Sequence, residues 1–191
     1  PRPMTKRRFH FKLEPVRTYG ETPANKIQVR LGNGDGTFGA AATYTASNET
    51  RQLDVGDLNG DGWPDIVAGN WGNSNVSVFL NAGDGTFGSS TQVTMSSQIL
   101  EPHLVDLNRD GKLDLLSPSY NSGPISVRLG NGDGTFGALS TYPCDNNLYF
   151  VTGDFNGDGW PDVLASALSN NHVWIYLGSS TGALSSGVAL S

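Results

Sequence analysis

The sequence predicts an all-β protein of β-propeller-type blades: four four-stranded antiparallel repeats of about 48 residues each. Three observations predict it. The string Gly-Asp-Gly-Thr-Phe-Gly occurs at residues 34–39, 83–88 and 132–137, so its Asp returns every 49 residues. A second string, Asp-x-Asn-x-Asp-Gly-x-x-Asp, starts at Asp57, Asp106 and Asp154 and keeps step with the first. Composition agrees, because only 37% of the 191 residues are hydrophobic and 25 are Gly, which suits short strands and tight turns.

The second repeat shows each element. Residues 52–55 read as a strand, the acidic string as a loop, and 65–69 as a mostly apolar strand. Residues 76–80 alternate in polarity, Gly83-Asp84-Gly85 forms a hairpin turn, and 91–94 is β-prone. The other repeats follow by period. In the first, residues 26–31 align with 75–80 and the glycine turn follows, but the segment 9–19 before them contains no Asp. In the fourth, the acidic loop is intact and the turn has become Gly178-Ser179-Ser180-Thr181-Gly182. Terminal repeats are commonly atypical. The chain therefore divides into an arm, 1–22, leading into a first repeat without the acidic loop, and a repeat domain over 23–191.

Charge is uneven. Residues 1–30 carry eight Lys and Arg against two Glu, a formal +6, while the remainder carries four basic residues against sixteen acidic ones, a formal −12. An acidic body of this kind points away from nucleic acid. No run approaches the roughly 20 apolar residues that a membrane-spanning helix needs, so no membrane insertion is expected. The single cysteine, Cys144, excludes an internal disulfide framework. Two sequons, at Asn48 and Asn75, are candidate glycosylation sites in a secretory route.

The acidic loops carry the chemistry. Ca²⁺ takes six to eight oxygen ligands at about 2.3–2.6 Å, so a short loop must turn many oxygens inward. Alternation does this: Asp57, Asn59 and Asp61 supply side chains, Gly62 allows the sharp turn, the Trp63 carbonyl faces in, and Asp65 closes the shell. The matching sets are Asp106, Asn108, Asp110, the Lys112 carbonyl and Asp114, and then Asp154, Asn156, Asp158, the Trp160 carbonyl and Asp162. Each loop crowds three carboxylates into nine residues, whose repulsion a cation relieves. Three Ca²⁺ ions would cancel the formal charge of −6. The bland alternative is that Asp, Asn and Gly only build Asx-turns. An EF-hand would need Glu at its twelfth position, where this chain has Ala68, Ser117 and Ala165. Mg²⁺ suits the loops less, because it prefers strict octahedral geometry and keeps several waters.

The pairing of these loops with a Leu-Gly-Asn-Gly-Asp-Gly-Thr-Phe-Gly turn over residues 26–191 resembles the FG-GAP/VCBS repeat of integrin α-chain propellers and many secreted bacterial proteins. That resemblance implies propeller blades with calcium between the first two strands of each. It also implies an extracellular or cell-surface setting, in adhesion, carbohydrate binding or assembly. Integrin-like propellers have seven blades, whereas four units fit here, so ring closure stays open.

No catalytic constellation accompanies the loops. His10, His103 and His172 stand singly, and Asp54, Glu101 and Asp145 have no evident partner in the sequence. The expectation is a non-catalytic extracellular calcium-binding repeat protein for adhesion, surface assembly or filament formation. Two alternatives stand: a calcium-dependent lectin, and a non-catalytic domain of a secreted hydrolase. For a lectin, Trp63 and Trp160 are the candidates to stack on a glycan, against the plainer reading that each indole covers neighbouring structure. The basic arm, with Phe9-His10-Phe11-Lys12-Leu13 alternating like a strand, is expected to join an adjacent subunit through residues 1–13.

Overall fold

The computed structural model describes residues 11–15, 25–99, 101–119, 123–144, 147–167 and 172–190. It is all-β. The first sheet holds β1 (Phe11–Pro15), β2 (Lys26–Leu31) and β3 (Ala42–Thr45) in that order. The second holds β4 (Thr50–Gly56), β5 (Asp65–Asn70), β6 (Asn75–Phe79) and β7 (Thr91–Thr94). The third holds β8 (His103–Val105), β9 (Asp114–Ser117), β10 (Ile125–Gly130) and β11 (Phe136–Tyr142). The fourth holds β12 (Asn147–Gly153), β13 (Asp162–Ala167), β14 (His172–Tyr176) and β15 (Val188–Leu190). Every pairing is antiparallel between strands adjacent in sequence.

Among the described residues, three sheets thus have the expected four strands and one has three. Register explains the difference. Leu13 pairs with Val29 as Val67 pairs with Val78, so β1 takes the second-strand place that β5 holds in the next repeat. The first-strand place of that repeat falls before Phe11, outside the described residues. Phe11–Pro15 therefore belongs to the first sheet; the rest of the 1–22 arm lies outside the described residues.

Period-2 alternation explains how the sheets stack. In β5 all six residues are buried. Ile66 and Ala68 point to the first sheet, where they meet Ile27 and Val29, and Val67 points to the third, where it meets Ile99 and Leu115. A third cluster joins the last two sheets through Leu116, Ile125, Val127, Val163, Ala165 and Tyr176. Each sheet so shares an apolar core only with its neighbours, the arrangement of a repeat array. Among the described residues no helix is long and apolar enough to cross a membrane.

The glycine turns serve this stacking. A Cβ placed on Gly85 would lie 2.7 Å from a δ-methyl of Leu31 in the preceding sheet. Gly134 stands in the same relation to Leu80 at 2.8 Å, and Gly182 to Leu129 at 2.6 Å. Each turn must be glycine there twice over, because φ is also positive, +87°, +84° and +72°. The backbone agrees, with Gly134 N–H donating to the Leu58 carbonyl across the sheets at 3.0 Å.

Candidate metal loops

The three acidic loops span the connections β4–β5, β8–β9 and β12–β13, at the same corner of successive sheets. Their first carboxylate gathers the loop. Asp57 accepts from Gly60 N–H and Gly62 N–H, both at 2.8 Å. Asp154 does the same with Gly157 at 2.7 Å and Gly159 at 2.9 Å. Asp106 accepts from Gly111 at 2.9 Å and Asp110 at 3.0 Å. Asn59 and Asp61 then accept from the amides two residues on, Asp61 at 3.1 Å and Trp63 at 2.8 Å. The sixth-position glycines, Gly62, Gly111 and Gly159, have φ of +84°, +84° and +93°. The fourth position is also left-handed, and there the middle loop places Arg109 at φ +55° where the others have Gly60 and Gly157.

The ninth-position Asp has a role the sequence did not reveal. Asp65 is fully buried and accepts from Leu58 N–H at 2.9 Å and from Asn81 N–H at 2.8 Å. Asp114 brackets Leu107 and Gly130 at 2.9 and 2.8 Å, and Asp162 brackets Phe155 and Gly178 at the same distances. Each closing carboxylate thereby ties its acidic loop to the end of the third strand, two connections that sequence separates by 16 residues or more. Burial pushes the Asp65 and Asp114 carboxyls up, against their two amide bonds, and the charges at Asp57 and Asp61, or Asp106 and Asp110, push them further. That coupling places the first, fifth and ninth carboxylates of a loop in one electrostatic neighbourhood.

The donor set suits a hard cation. All ligand candidates are oxygens, and among the described residues none of the nine loop carboxylates forms an ion pair with Lys, Arg or His. The nearest compensation is Arg109, whose charge helps to hold Asp158 low after its bonds from Trp160 N–H and Asn156. The side chains are turned onto the loop's own amides, however, and no three Asp, Glu, His or Cys side chains among the described residues converge as a finished cage. Each carboxylate keeps lone pairs beyond those used by the amides.

The seventh-position side chains lie on their own repeat's glycine turn. A Cβ on Gly83 would sit 3.1 Å from Trp63 Nε1, and one on Gly132 would sit 3.1 Å from the Lys112 chain. The Arg109 guanidinium lies 5.9 Å from the centre of the Trp160 ring. Both indoles are half-buried. Asn48 is exposed in the turn before β4, whereas Asn75 opens β6 and its side chain accepts from Asn70 Nδ2 at 3.0 Å.

The structure also joins residues that the sequence left apart. Asp54 and His103 occupy one position of the first strand in successive repeats, three residues before the acidic loop, and Thr152 lies one residue past the corresponding Val151 of the fourth repeat. His103 Nδ1 lies 3.6 Å from Asp54, and its Nε2 lies 3.4 Å from Thr152 Oγ1. Asp54 further accepts from Leu104 N–H at 2.8 Å. Part of the signal was available, since Asp54 and His103 share the 49-residue spacing of their loops. These contacts tie three successive sheets together.

Comparison with known proteins gives a consistent picture. A model of the FG-GAP-like repeat matches residues 18–68, 57–117 and 106–165, and a related FG-GAP repeat model matches 150–183. No curated protein matches in a sequence search. Among solved structures, the chain is similar to an Agrocybe aegerita lectin described for specific recognition of non-reducing terminal N-acetylglucosamine. Identity is 22%, TM-score 0.61, covering 87% of this chain and 46% of the lectin. It is also similar to the V. cholerae biofilm matrix protein Bap1, with 16% identity and TM-score 0.50, covering 87% of this chain and 26% of Bap1. The chain spans less than half of either protein.

Proposed function

Since the chain belongs to the FG-GAP-like repeat family, we propose that it is a non-catalytic, calcium-stabilised run of propeller-type blades working outside the cell in adhesion, surface assembly or filament formation. One observation carries the calcium reading. The same nine-residue, all-oxygen loop sits at the same sheet corner three times, with nine carboxylates that no Lys, Arg or His among the described residues pairs. The ions would be held by the side chains of Asp57, Asn59, Asp61 and Asp65 with the Trp63 carbonyl. The second site would use Asp106, Asn108, Asp110, Asp114 and the Lys112 carbonyl, and the third Asp154, Asn156, Asp158, Asp162 and the Trp160 carbonyl. They would supply charge neutralisation and rigidity. Extracellular calcium modules bind with Kd on the order of 10⁻⁴–10⁻³ M, so millimolar calcium would fill them. The test is a thermal melt in EGTA against one in excess calcium: the reading expects a marked rise in Tm with calcium, and an unchanged Tm refutes it.

A second reading is a glycan-binding role, supported by the fold shared with the N-acetylglucosamine-specific lectin. A glycan array on calcium-loaded protein tests it. Binding lost in Trp63→Ala or Trp160→Ala would favour stacking on those rings, and no bound glycan would leave the scaffold reading.

A further inference from the structure

The middle acidic loop differs from its neighbours in charge. Residues 57–65 and 154–162 each carry three Asp and no Lys or Arg, a formal −3, whereas residues 106–114 carry three Asp with Arg109 and Lys112, a formal −1. The two cations diverge. Lys112 lies along its own repeat's glycine turn, where a Cβ on Gly132 would sit 3.1 Å from its side chain. Arg109 crosses to the next repeat. Its guanidinium lies 5.9 Å from the centre of the Trp160 ring, and its Nη1 would be 3.7 Å from a Cβ on Gly159. It stands against the sixth and seventh positions of the third loop. Its charge also reaches the fifth, where it adds to the bonds from Trp160 N–H and Asn156 that hold the Asp158 carboxyl low.

Arg109 keeps this place against the preference of its backbone. Its φ is +55°, and the other two loops have Gly60 and Gly157 there at +75° and +77°. A Cβ on either glycine would meet nothing within 4 Å. Space therefore admits a side chain at all three fourth positions, and only the left-handed backbone disfavours one. A strained non-glycine residue at an open position directs attention to what its side chain does. Among the described residues, Arg109 pairs with no loop carboxylate. Its charge is thus beside the third loop without occupying the lone pairs that an ion would use.

We propose that Arg109 is a resident counter-ion of the third loop: it partly neutralises that loop when calcium is absent and weakens its hold on calcium, so that the first loop fills before the third. The proposal rests on the calcium reading above. A fixed positive charge beside a divalent site repels the arriving ion, which across a few ångströms at an exposed surface lowers affinity about three- to tenfold at roughly 0.1 M salt. Two loops of identical formal charge then differ because a residue of the second loop leans on one of them.

The experiment is calcium titration by isothermal calorimetry of two single-loop proteins. One keeps only the third loop, through Asp57→Asn, Asp61→Asn, Asp106→Asn and Asp110→Asn. The other keeps only the first, through Asp106→Asn, Asp110→Asn, Asp154→Asn and Asp158→Asn. The first-loop protein should bind more tightly. Adding Arg109→Gln should tighten the third loop about three- to tenfold and leave the first within about twofold, whereas Arg109→Lys, which keeps the charge, should stay near its parent. In 1 M KCl, where the screening length falls to about 3 Å, the gain should shrink below about twofold. Should a quadruple variant fail to melt cooperatively, the otherwise unaltered chain carries the same test, with Arg109→Gln expected to tighten one of three sites. Equal shifts in both loops would reduce Arg109 to a share of the net charge and overturn the proposal. No shift in the third loop, or a gain that persists in 1 M KCl, overturns it too. In each of those cases calcium binding itself stands; wild-type protein that binds no calcium removes the calcium reading and this proposal with it.

Discussion

Replacing Asp65 with Ala should destabilise the chain whether or not calcium is present. The carboxylate is fully buried and accepts two backbone amides, Leu58 N–H at 2.9 Å and Asn81 N–H at 2.8 Å. Hydrogen bonds to charged groups contribute about 1.5–3 kcal/mol each, and the buried donors left behind have no replacement partner. Burial of the charge opposes part of this, as the raised carboxyl shows. A net loss of about 3 kcal/mol follows, or roughly 6–12 °C at the 2–4 °C per kcal/mol usual for chains of this size. The decisive comparison is Asp61→Ala, an exposed position that bonds only within its own loop. In EGTA, Asp65→Ala should melt well below wild type while Asp61→Ala stays within about 2 °C of it; in calcium, both should fall. Differential scanning calorimetry in the two buffers reads this directly. Equal melting of Asp65→Ala and wild type in EGTA would refute the bracket, because the carboxylate would then act only as a ligand.

Three further outcomes follow from other positions. Gly134→Ala should lower stability by about 2 kcal/mol or more, measured by urea titration, since φ is +84° and the new methyl would meet Leu80 at 2.8 Å. Arg109→Gly should be neutral to about 1 kcal/mol stabilising: relief of left-handed strain at φ +55° outweighs the added freedom of the unfolded chain, and a loss of stability would contradict this. In the glycine turn, the Thr86 hydroxyl and then its N–H hold the Asp84 carboxyl below its ordinary 3.8. A depressed pKa stabilises above 3.8 and that contribution is lost as pH falls through the folded value, so Asp84→Asn should flatten the acid limb of a Tm–pH profile below pH 4.

The repeats and their acidic loops were legible because their determinants are local. Alternating oxygens, a positive-φ glycine and a β-prone flank all lie within nine residues, and strands form over the apolar 65–69 and the β-prone 91–94 as expected. What the sequence concealed is tertiary. Asp65 reads only as a ninth-position ligand, and its second part as a bracket shows when the amide of Asn81, 16 residues away, is seen on its other oxygen. Leu80 reads as a strand terminus until the Gly134 turn of the next repeat lands on it. Asp54 and His103 look unpartnered within their own repeats, because their contact crosses a sheet boundary. Residues 9–13 read as a strand bound for an adjacent subunit, whereas Phe11–Pro15 pairs with β2 of its own chain, a choice of partner that alternation does not encode.

Calcium titration of chelated protein by isothermal calorimetry addresses the central claim most directly. Three ions per chain are expected, falling to two when Asp57 and Asp61 are both changed to Asn, with the loops at Asp106 and Asp154 still loaded. No binding up to 10 mM calcium, or a stoichiometry indifferent to that double substitution, would contradict the account.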